Sequence, residues 1–436
     1  MIAQAWPTLQ PGRRKRRRRA ACHTGVVTRG DDTDKATVGA PVSAAAPPAF
    51  HLLAKPTGSA CNLDCAYCFF LDKERLYPGL RPHMSDAVME RYLRQLIEAH
   101  RAPQATIAWQ GGEPTLMGLE FFRRAVDCAA GYARPGMKIE HTIQTNGTRL
   151  NGDWAAFLKE HEFLVGLSVD GPRPLHDRYR RDKAGRPTFD RVMRGLGHLR
   201  EQDVAWNALV AVHAGNADHP AEVYRFLRDE CGATFIQLIP IVERESYDGV
   251  PFGDVTERSV TARQWGRFLA GVFDEWVRRD VGEVYVQLFD VALANWFGEP
   301  SGLCVHSPTC GTALALEFNG DVYSCDHFVE PAHRLGNIAE HHLGELVGSE
   351  RQRRFGQDKR DTLPAFCCDC DVLFACHGGC PKDRLIEAPD GEPGLNYLCA
   401  GFKEFFAHVD EPMRAMCALL RAGRAPAEIV DRRPTT

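Results

Sequence analysis

Three cysteines within eight residues, Cys61-Asn62-Leu63-Asp64-Cys65-Ala66-Tyr67-Cys68, hold the densest chemistry in the chain. Their C-x3-C-x2-C spacing supplies three thiolates, enough for three irons of a four-iron, four-sulfur cluster, whereas a closed electron-transfer cluster takes four. No fourth cysteine lies close by, so one iron is left open to an exchangeable ligand. Zinc wants four ligands, usually in two pairs, and a disulfide framework belongs to short chains in oxidising compartments. Inert buried thiols have no reason to crowd around Asn62 and Asp64. Such spacing in an intracellular chain points to a metal or redox role.

Eight more cysteines follow the spacing Cys304-x5-Cys310-x14-Cys325, then Cys367-x2-Cys370-x5-Cys376-x3-Cys380-x18-Cys399, which is enough for two saturated sites of four thiols each. Read alone, the C-x2-C-x5-C-x3-C part also suits a zinc ribbon. Cys368 duplicates its neighbour and could replace Cys367 as a ligand. Cys22, Cys128, Cys231, Cys368 and Cys417 fit no pattern.

These groups need a scaffold. From His51 the chain alternates short apolar runs with helical patterns, the signature of βα units and a parallel sheet. Strands are expected at 51–54, 105–109, 138–144, 163–169, 204–212 and 234–239. The intervening helices include Met84–His100, with Val88, Tyr92 and Leu96 on one side and Ser85 as N-cap, and Phe189–Arg200. Six such units make a partial (β/α)6 barrel, and ligands of parallel α/β folds sit at the carboxyl ends of the strands. The motifs fall there: Cys61 after the first strand, Gln110-Gly111-Gly112-Glu113-Pro114 after the second, Gln144-Thr145-Asn146-Gly147 after the third, Ser168-Val169-Asp170-Gly171-Pro172 at the end of the fourth, and Pro240-Ile241 at the end of the sixth. Gly111 and Gly112 let the backbone come close to a ligand, since no Cβ intrudes. Phe268, Val272 and Trp276 recur at helical spacing and read as core packing. The expected organisation is a basic tail over 1–48, the barrel over 49–255, a helical connector over 256–303, a cysteine-rich domain over 304–415 and a C-terminal tail over 416–436.

Lys55-Pro56-Thr57-Gly58, the cysteine triplet and Phe69 resemble the radical S-adenosylmethionine (SAM) superfamily, and within it the anaerobic sulfatase-maturating enzymes. The resemblance covers about residues 50–415. It implies the partial barrel, an open iron chelated by SAM, and a 5′-deoxyadenosyl radical formed when the sulfonium bond breaks. It makes Gln110, Gly111, Gly112 and Glu113 the contacts of the methionyl amine, Ser168 and Arg180 those of the ribose and carboxylate, and Tyr67 the aromatic beside the adenine. A guanidinium fork suits a carboxylate. The family's Cys-Phe-Tyr is Cys68-Phe69-Phe70 here, which removes one hydroxyl. The second cysteine set matches the SPASM extension, so the resemblance gives three [4Fe-4S] clusters in all, with Cys304, Cys310, Cys325 and Cys380 on one auxiliary cluster and Cys367, Cys370, Cys376 and Cys399 on the other. Asp326, directly after Cys325, matches the family's general base.

The activity so implied is oxidation of a cysteine or serine in an unfolded sulfatase to Cα-formylglycine, with electrons from an external donor such as flavodoxin or ferredoxin. A SPASM maturase that crosslinks a ribosomal peptide through a thioether or carbon–carbon bond shares the same radical start. A non-catalytic iron–sulfur carrier would leave Gly111-Gly112 and Arg180 without a purpose. Composition agrees with a globular enzyme: 436 residues, 44% hydrophobic and 25% charged. The net charge of -4 hides seven consecutive basic residues, Arg13–Arg19, without which the rest carries -11. So acidic a body is a poor nucleic-acid surface, and the basic run lies in an aperiodic stretch read as disordered. No apolar run is long enough to span a membrane, no secretory signal pattern follows the charges, and a cytoplasmic location is expected.

Overall fold

Strands of alternating apolar character, separated by amphipathic helices, form six parallel neighbours in chain order: β1 (His51–Lys55), β2 (Gln104–Trp109), β3 (Lys138–Thr145), β4 (Leu164–Ser168), β5 (Trp206–Val212) and β6 (Phe235–Pro240). All lie where the sequence places them, with ends shifted by at most two residues. The chain is seen in a computed structural model that describes residues 46–247 and 250–432. The basic run therefore lies outside the described residues. The folded part begins before residue 49, because Arg101 donates to the carbonyls of Ala46 (2.6 Å) and Pro48 (2.8 Å).

Helix Asp86–Ala99 starts at Ser85, whose hydroxyl accepts from Val88 N–H at 3.3 Å, satisfying one of the free amides of the first turn. It buries Met89, Tyr92, Leu93 and Leu96 against Trp109 and Ile107 of β2. A hairpin of β7 (Arg244–Tyr247) and β8 (Val250–Val255) follows β6, and the two-residue β9 (Tyr285–Val286) closes the far edge beside β6. Together these give the mostly parallel α/β partial barrel that the pattern implied.

The cysteine-rich segment is not a separate bead. Its first strand, β10 (Ala313–Glu317), pairs in parallel with β1, from His51 against Ala313 to Lys55 against Glu317. Strands β11 (Asp321–Tyr323) and β12 (Arg334–Asn337) continue the sheet antiparallel. The sheet thus crosses the expected boundary at 304. The expected tail from 416 is also corrected, because helix Cys399–Arg421 runs through that position with Met413, Met416, Cys417 and Leu419 buried. It crosses helix Ala262–Arg279 so closely that a Cβ on Gly401 would stand 2.0 Å from the Ala262 carbonyl oxygen. Trp265, Phe268, Phe273 and Trp276 share one core with Phe402, Phe405 and Phe406, each worth ~1.5–3 kcal/mol when fully buried. The helices expected as a connector are therefore structural core, since their apolar stripe needed this partner. Cys231 and Cys417 are buried among apolar side chains, as inert thiols. No helix among the described residues is long and apolar enough to cross a membrane.

Burial sets an acid limit on this fold. His141, His176 and His213 are buried, and desolvation pulls each imidazole down to about 4. In the unfolded chain they take up a proton near pH ~6.5. The unfolded state thus binds more protons in that window, and stability falls as pH falls through it, by ~1.4 kcal/mol per pH unit for each histidine. Thermal melts are expected to drop steeply between neutral pH and about pH 5, and His141→Gln to flatten that slope.

Candidate active site

The cysteine loop is clamped by backbone. After β1 the chain turns tightly, Gly58 N–H donating to the Lys55 carbonyl (3.0 Å) and Ala60 N–H to that of Thr57 (2.9 Å). The loop after β2 lies on this turn, with Gly112 N–H on the Gly58 carbonyl (2.8 Å) and Glu113 N–H on that of Ala60 (2.9 Å). Gly111 has φ +116°, and a Cβ on Gly112 would stand 2.0 Å from the Ala60 carbonyl oxygen. Within the chain, the close approach these glycines permit is to the loop that ends in Cys61. Gln110 joins the same contact through its N–H on the Ala54 carbonyl at 2.8 Å.

Glu113 is fully buried and accepts from Thr115 N–H (3.0 Å), Thr115 Oγ1 (2.6 Å) and Thr145 Oγ1 (2.7 Å) on Oε1, and from Asn146 N–H (2.8 Å) on Oε2. It ties the loops after β2 and β3 together and leaves acceptor capacity on Oε2. Cys61, Cys65 and Cys68 face one another, and burial pushes the first two thiols up to about 12 and the third to about 11. Thiolates here need a cation to compensate them.

On the opposite side, Asp170 collects a buried polar knot. Arg180 donates Nε to its Oδ2 (2.8 Å) and Nη2 to its Oδ1 (3.0 Å), Tyr67 Oη donates to Oδ2 (2.5 Å), and Ala211 N–H to Oδ1 (3.0 Å). The guanidinium beside it holds the Asp170 carboxyl below its usual range in spite of burial. Tyr67 stacks on His213 with ring centres 5.5 Å apart, and His213 Nε2, buried 3.9 Å from Asp170 Oδ2, has no hydrogen-bond partner among the described residues. Ser168 ends β4 in the same wall, also buried. Arg180 is expected on a ligand carboxylate, but its bidentate fork is taken by Asp170. Only Nη1 stands outside that pair. Nor is it a solvated helix-face charge, being 9% exposed.

Where β1 pairs with β10, a triad joins barrel and cysteine-rich segment. Lys55, 1% exposed, stands with Nζ 2.8 Å from Asp326 Oδ1 and 3.4 Å from Glu317 Oε1, an ion pair rather than an aligned hydrogen bond at Asp326. The same ammonium lies 4.6 Å from the Phe70 ring centre. Asp326 thus stands beside the residue that ends β1, whose ammonium also meets the Phe70 ring. His327 closes the other side, 3.6 Å from Cys380 Sγ and edge-on to Phe69.

The remaining cysteines fall into two groups. Cys325 is bounded by Cys380 and Cys304, and Cys310 and Cys380 each by Cys304. Cys367, Cys370, Cys376 and Cys399 line one pocket with Phe366 and Lys403. Chain spacing would group Cys380 with Cys376, but the fold interleaves them. Cys367, the choice made over Cys368, is the one that lines the pocket. Among the described residues no three Cys, His, Asp or Glu side chains close to single-ion spacing; a cubane holds its ligand sulfurs further apart than one ion does.

A model of the radical SAM superfamily matches residues 56–227, and one of an iron–sulfur cluster-binding domain, SPASM, matches 308–371. The serine-type anaerobic sulfatase-maturating enzyme of Bacteroides thetaiotaomicron is 44% identical over 391 residues, which cover 87% of this chain and 94% of that one. The chain belongs to the anaerobic sulfatase-maturating enzymes. The cysteine-type anaerobic sulfatase-maturating enzyme of Clostridium perfringens is 32% identical over 372 residues, 83% of this chain and 96% of that one. A solved structure of native anSMEcpe with bound AdoMet and Cp18Cys peptide is 31% identical and superposes with TM-score 0.75, covering 85% of this chain and 99% of that one.

As an anaerobic sulfatase-maturating enzyme with radical SAM and SPASM domains, the protein uses SAM and iron–sulfur clusters. The residues present fit both. The thiols of the cysteine loop are too desolvated to ionise without a cation, and the spare Oε2 of Glu113 and the orphaned His213 Nε2 are polar atoms awaiting partners. Sequence reasoning missed Lys55, Glu317, Asp170 and His213. Two of them carried a signal, since Lys55 opens the Lys-Pro-Thr-Gly stretch and Asp170 sits inside Ser-Val-Asp-Gly-Pro.

Proposed function

We propose that the enzyme oxidises a serine side chain of an unfolded sulfatase to Cα-formylglycine, and a cysteine by the same route. The observation that carries this is Asp326, a carboxylate held 2.8 Å from Lys55 at the root of the cysteine loop. The identity shared with the serine-type relative exceeds that with the cysteine-type one, 44% against 32%, so serine is placed first. Residues 49–255 would house SAM, and 304–415 the auxiliary clusters, with helices 262–279 and 399–421 fastening the two.

Three [4Fe-4S] clusters are assigned: Cys61, Cys65 and Cys68 with an open iron; Cys304, Cys310, Cys325 and Cys380; and Cys367, Cys370, Cys376 and Cys399. When bound, SAM and the clusters supply the radical that removes a Cβ hydrogen and the acceptor for the remaining electron. The chain's own residues hold the parts. Glu113 Oε2 would hold the methionyl ammonium beside Gly111 and Gly112, with Gln110 at the head of that loop. Ser168 and Arg180 Nη1 would hold the ribose and carboxylate, while Tyr67, locked between His213 and Asp170, would give the adenine a fixed wall. Asp326 takes the hydroxyl or thiol proton, and Lys55 keeps its carboxylate aimed. The setting is cytoplasmic, with flavodoxin or ferredoxin as electron donor.

The test is anaerobic reconstitution, reduction, and incubation with a peptide carrying serine or cysteine at the target position. Mass spectrometry is expected to show a loss of about 2 Da for serine and about 18 Da for cysteine, together with 5′-deoxyadenosine. Release of 5′-deoxyadenosine without either product would refute the substrate assignment. About twelve irons per chain are expected, and about four would remove the auxiliary clusters.

A further inference from the structure

Lys359 is a buried ammonium that forms no ion pair with a carboxylate among the described residues. It is 1% exposed, near the end of helix Glu350–Asp361, and its Nζ donates to two carbonyls, those of Ser307 and of His377 (3.1 Å). Ser307 lies between Cys304 and Cys310, and His377 between Cys376 and Cys380. Arg384 lies against it, Nη2 donating to the Lys359 carbonyl and Nη1 to Thr362 Oγ1 (3.2 Å), with Nε buried and unpaired. Two cations side by side repel, and burial pulls Lys359 down to about 8 and Arg384 below its usual range.

Carbonyl dipoles do not cancel a charge, and a buried ion without a counter-ion is strongly unfavourable. Among the described residues, no carboxylate is among the groups that act most strongly on either cation. Apart from Arg384 itself, which acts first on Lys359, those groups are cysteines: Cys310, Cys304 and Cys380 for Lys359, and Cys367, Cys380, Cys310 and Cys376 for Arg384. The first set belongs to one auxiliary quartet, and the second takes two members from each. Four thiolates around a four-iron, four-sulfide core leave a net negative charge, which grows by one on reduction.

We infer that Lys359 and Arg384 are the counter-cations of the auxiliary clusters, Lys359 serving the Cys304, Cys310, Cys325 and Cys380 site and Arg384 standing between both sites, so that they favour the reduced clusters. This rests on the two auxiliary clusters proposed above. Cluster potential follows local charge, so removing a cation lowers it. The pair thereby makes the auxiliary sites willing acceptors of the electron left on the substrate, and Arg384 levels the path between them.

The test uses the full chain, reconstituted anaerobically, with Cys61, Cys65 and Cys68 replaced by alanine so that only auxiliary signals remain in an EPR-monitored redox titration. Lys359→Gln, which keeps donors for both carbonyls, is expected to lower the reduction equilibrium constant of one cluster at least tenfold, ~59 mV for one electron. Arg384→Gln is expected to lower both. The charge-keeping Lys359→Arg and Arg384→Lys are expected to keep the starting potentials. If this chain binds no iron, the cluster assignment fails before the inference is reached. If it keeps about eight irons and neither glutamine variant moves either potential by even twofold in the constant, the inference is overturned. If the glutamine variants lose iron, retention by the charge-keeping variants supports the role, and loss from these as well overturns it.

Discussion

Asp326→Asn is expected to cleave SAM and make almost no formylglycine. Asparagine has the shape of aspartate, so the site beside Lys55 and Glu317 keeps its packing, but an amide cannot take a proton. A positioned general base contributes ~10²–10⁴ in rate. Product formation is therefore expected to fall by about 10²–10³ while 5′-deoxyadenosine continues to appear, and the ratio of the two, measured in one reaction, is the readout. A fall in both together, with iron content intact, would mean that Asp326 supports SAM cleavage instead, and equal product from the variant would remove it from the reaction.

Gly112→Ala is expected to empty the first cluster site. The added Cβ would lie 2.0 Å from the Ala60 carbonyl oxygen and 2.5 Å from its carbon, both backbone atoms of the turn that delivers Cys61. Overlap of that kind is relieved only by moving the turn, and overpacking of a fitted site costs typically ~1–3 kcal/mol even where neighbours can shift. Here the shift displaces a ligand. About four irons per chain are expected to be lost with SAM cleavage, while the auxiliary irons remain. The control is Gly197→Ala, in helix Phe189–Glu201, where an added Cβ meets nothing within 4 Å; it is expected to be neutral or slightly stabilising. Retention of the first cluster in Gly112→Ala would show that the two loops are not coupled.

Both experiments probe contacts between segments far apart in the chain, and there the sequence was least legible. Lys55 and Asp326 are 271 positions apart, and nothing local to either marks the pair. Arg180 shows the same limit. Its type promised a carboxylate partner, and it has one, but desolvation made Asp170 of its own chain the first claimant. The C-terminal helix runs through residue 416, where the sequence reading expects a tail. Its partner is the aromatic face of helix Ala262–Arg279, which supplies a core only after folding.

What the sequence by itself determined was everything carried by short-range spacing: three clustered thiols, six βα periods, the Ser85 cap, and motifs at the carboxyl ends of strands. Ligand chemistry and backbone periodicity act over a few residues, so they can be read from neighbours in the chain. Only the tertiary structure decided that Lys55 stands against Asp326, that β10 continues the barrel sheet, and which buried charges answer one another. Those outcomes depend on the removal of water from groups brought together by distant segments, and the energy of a charge is set by what surrounds it after folding.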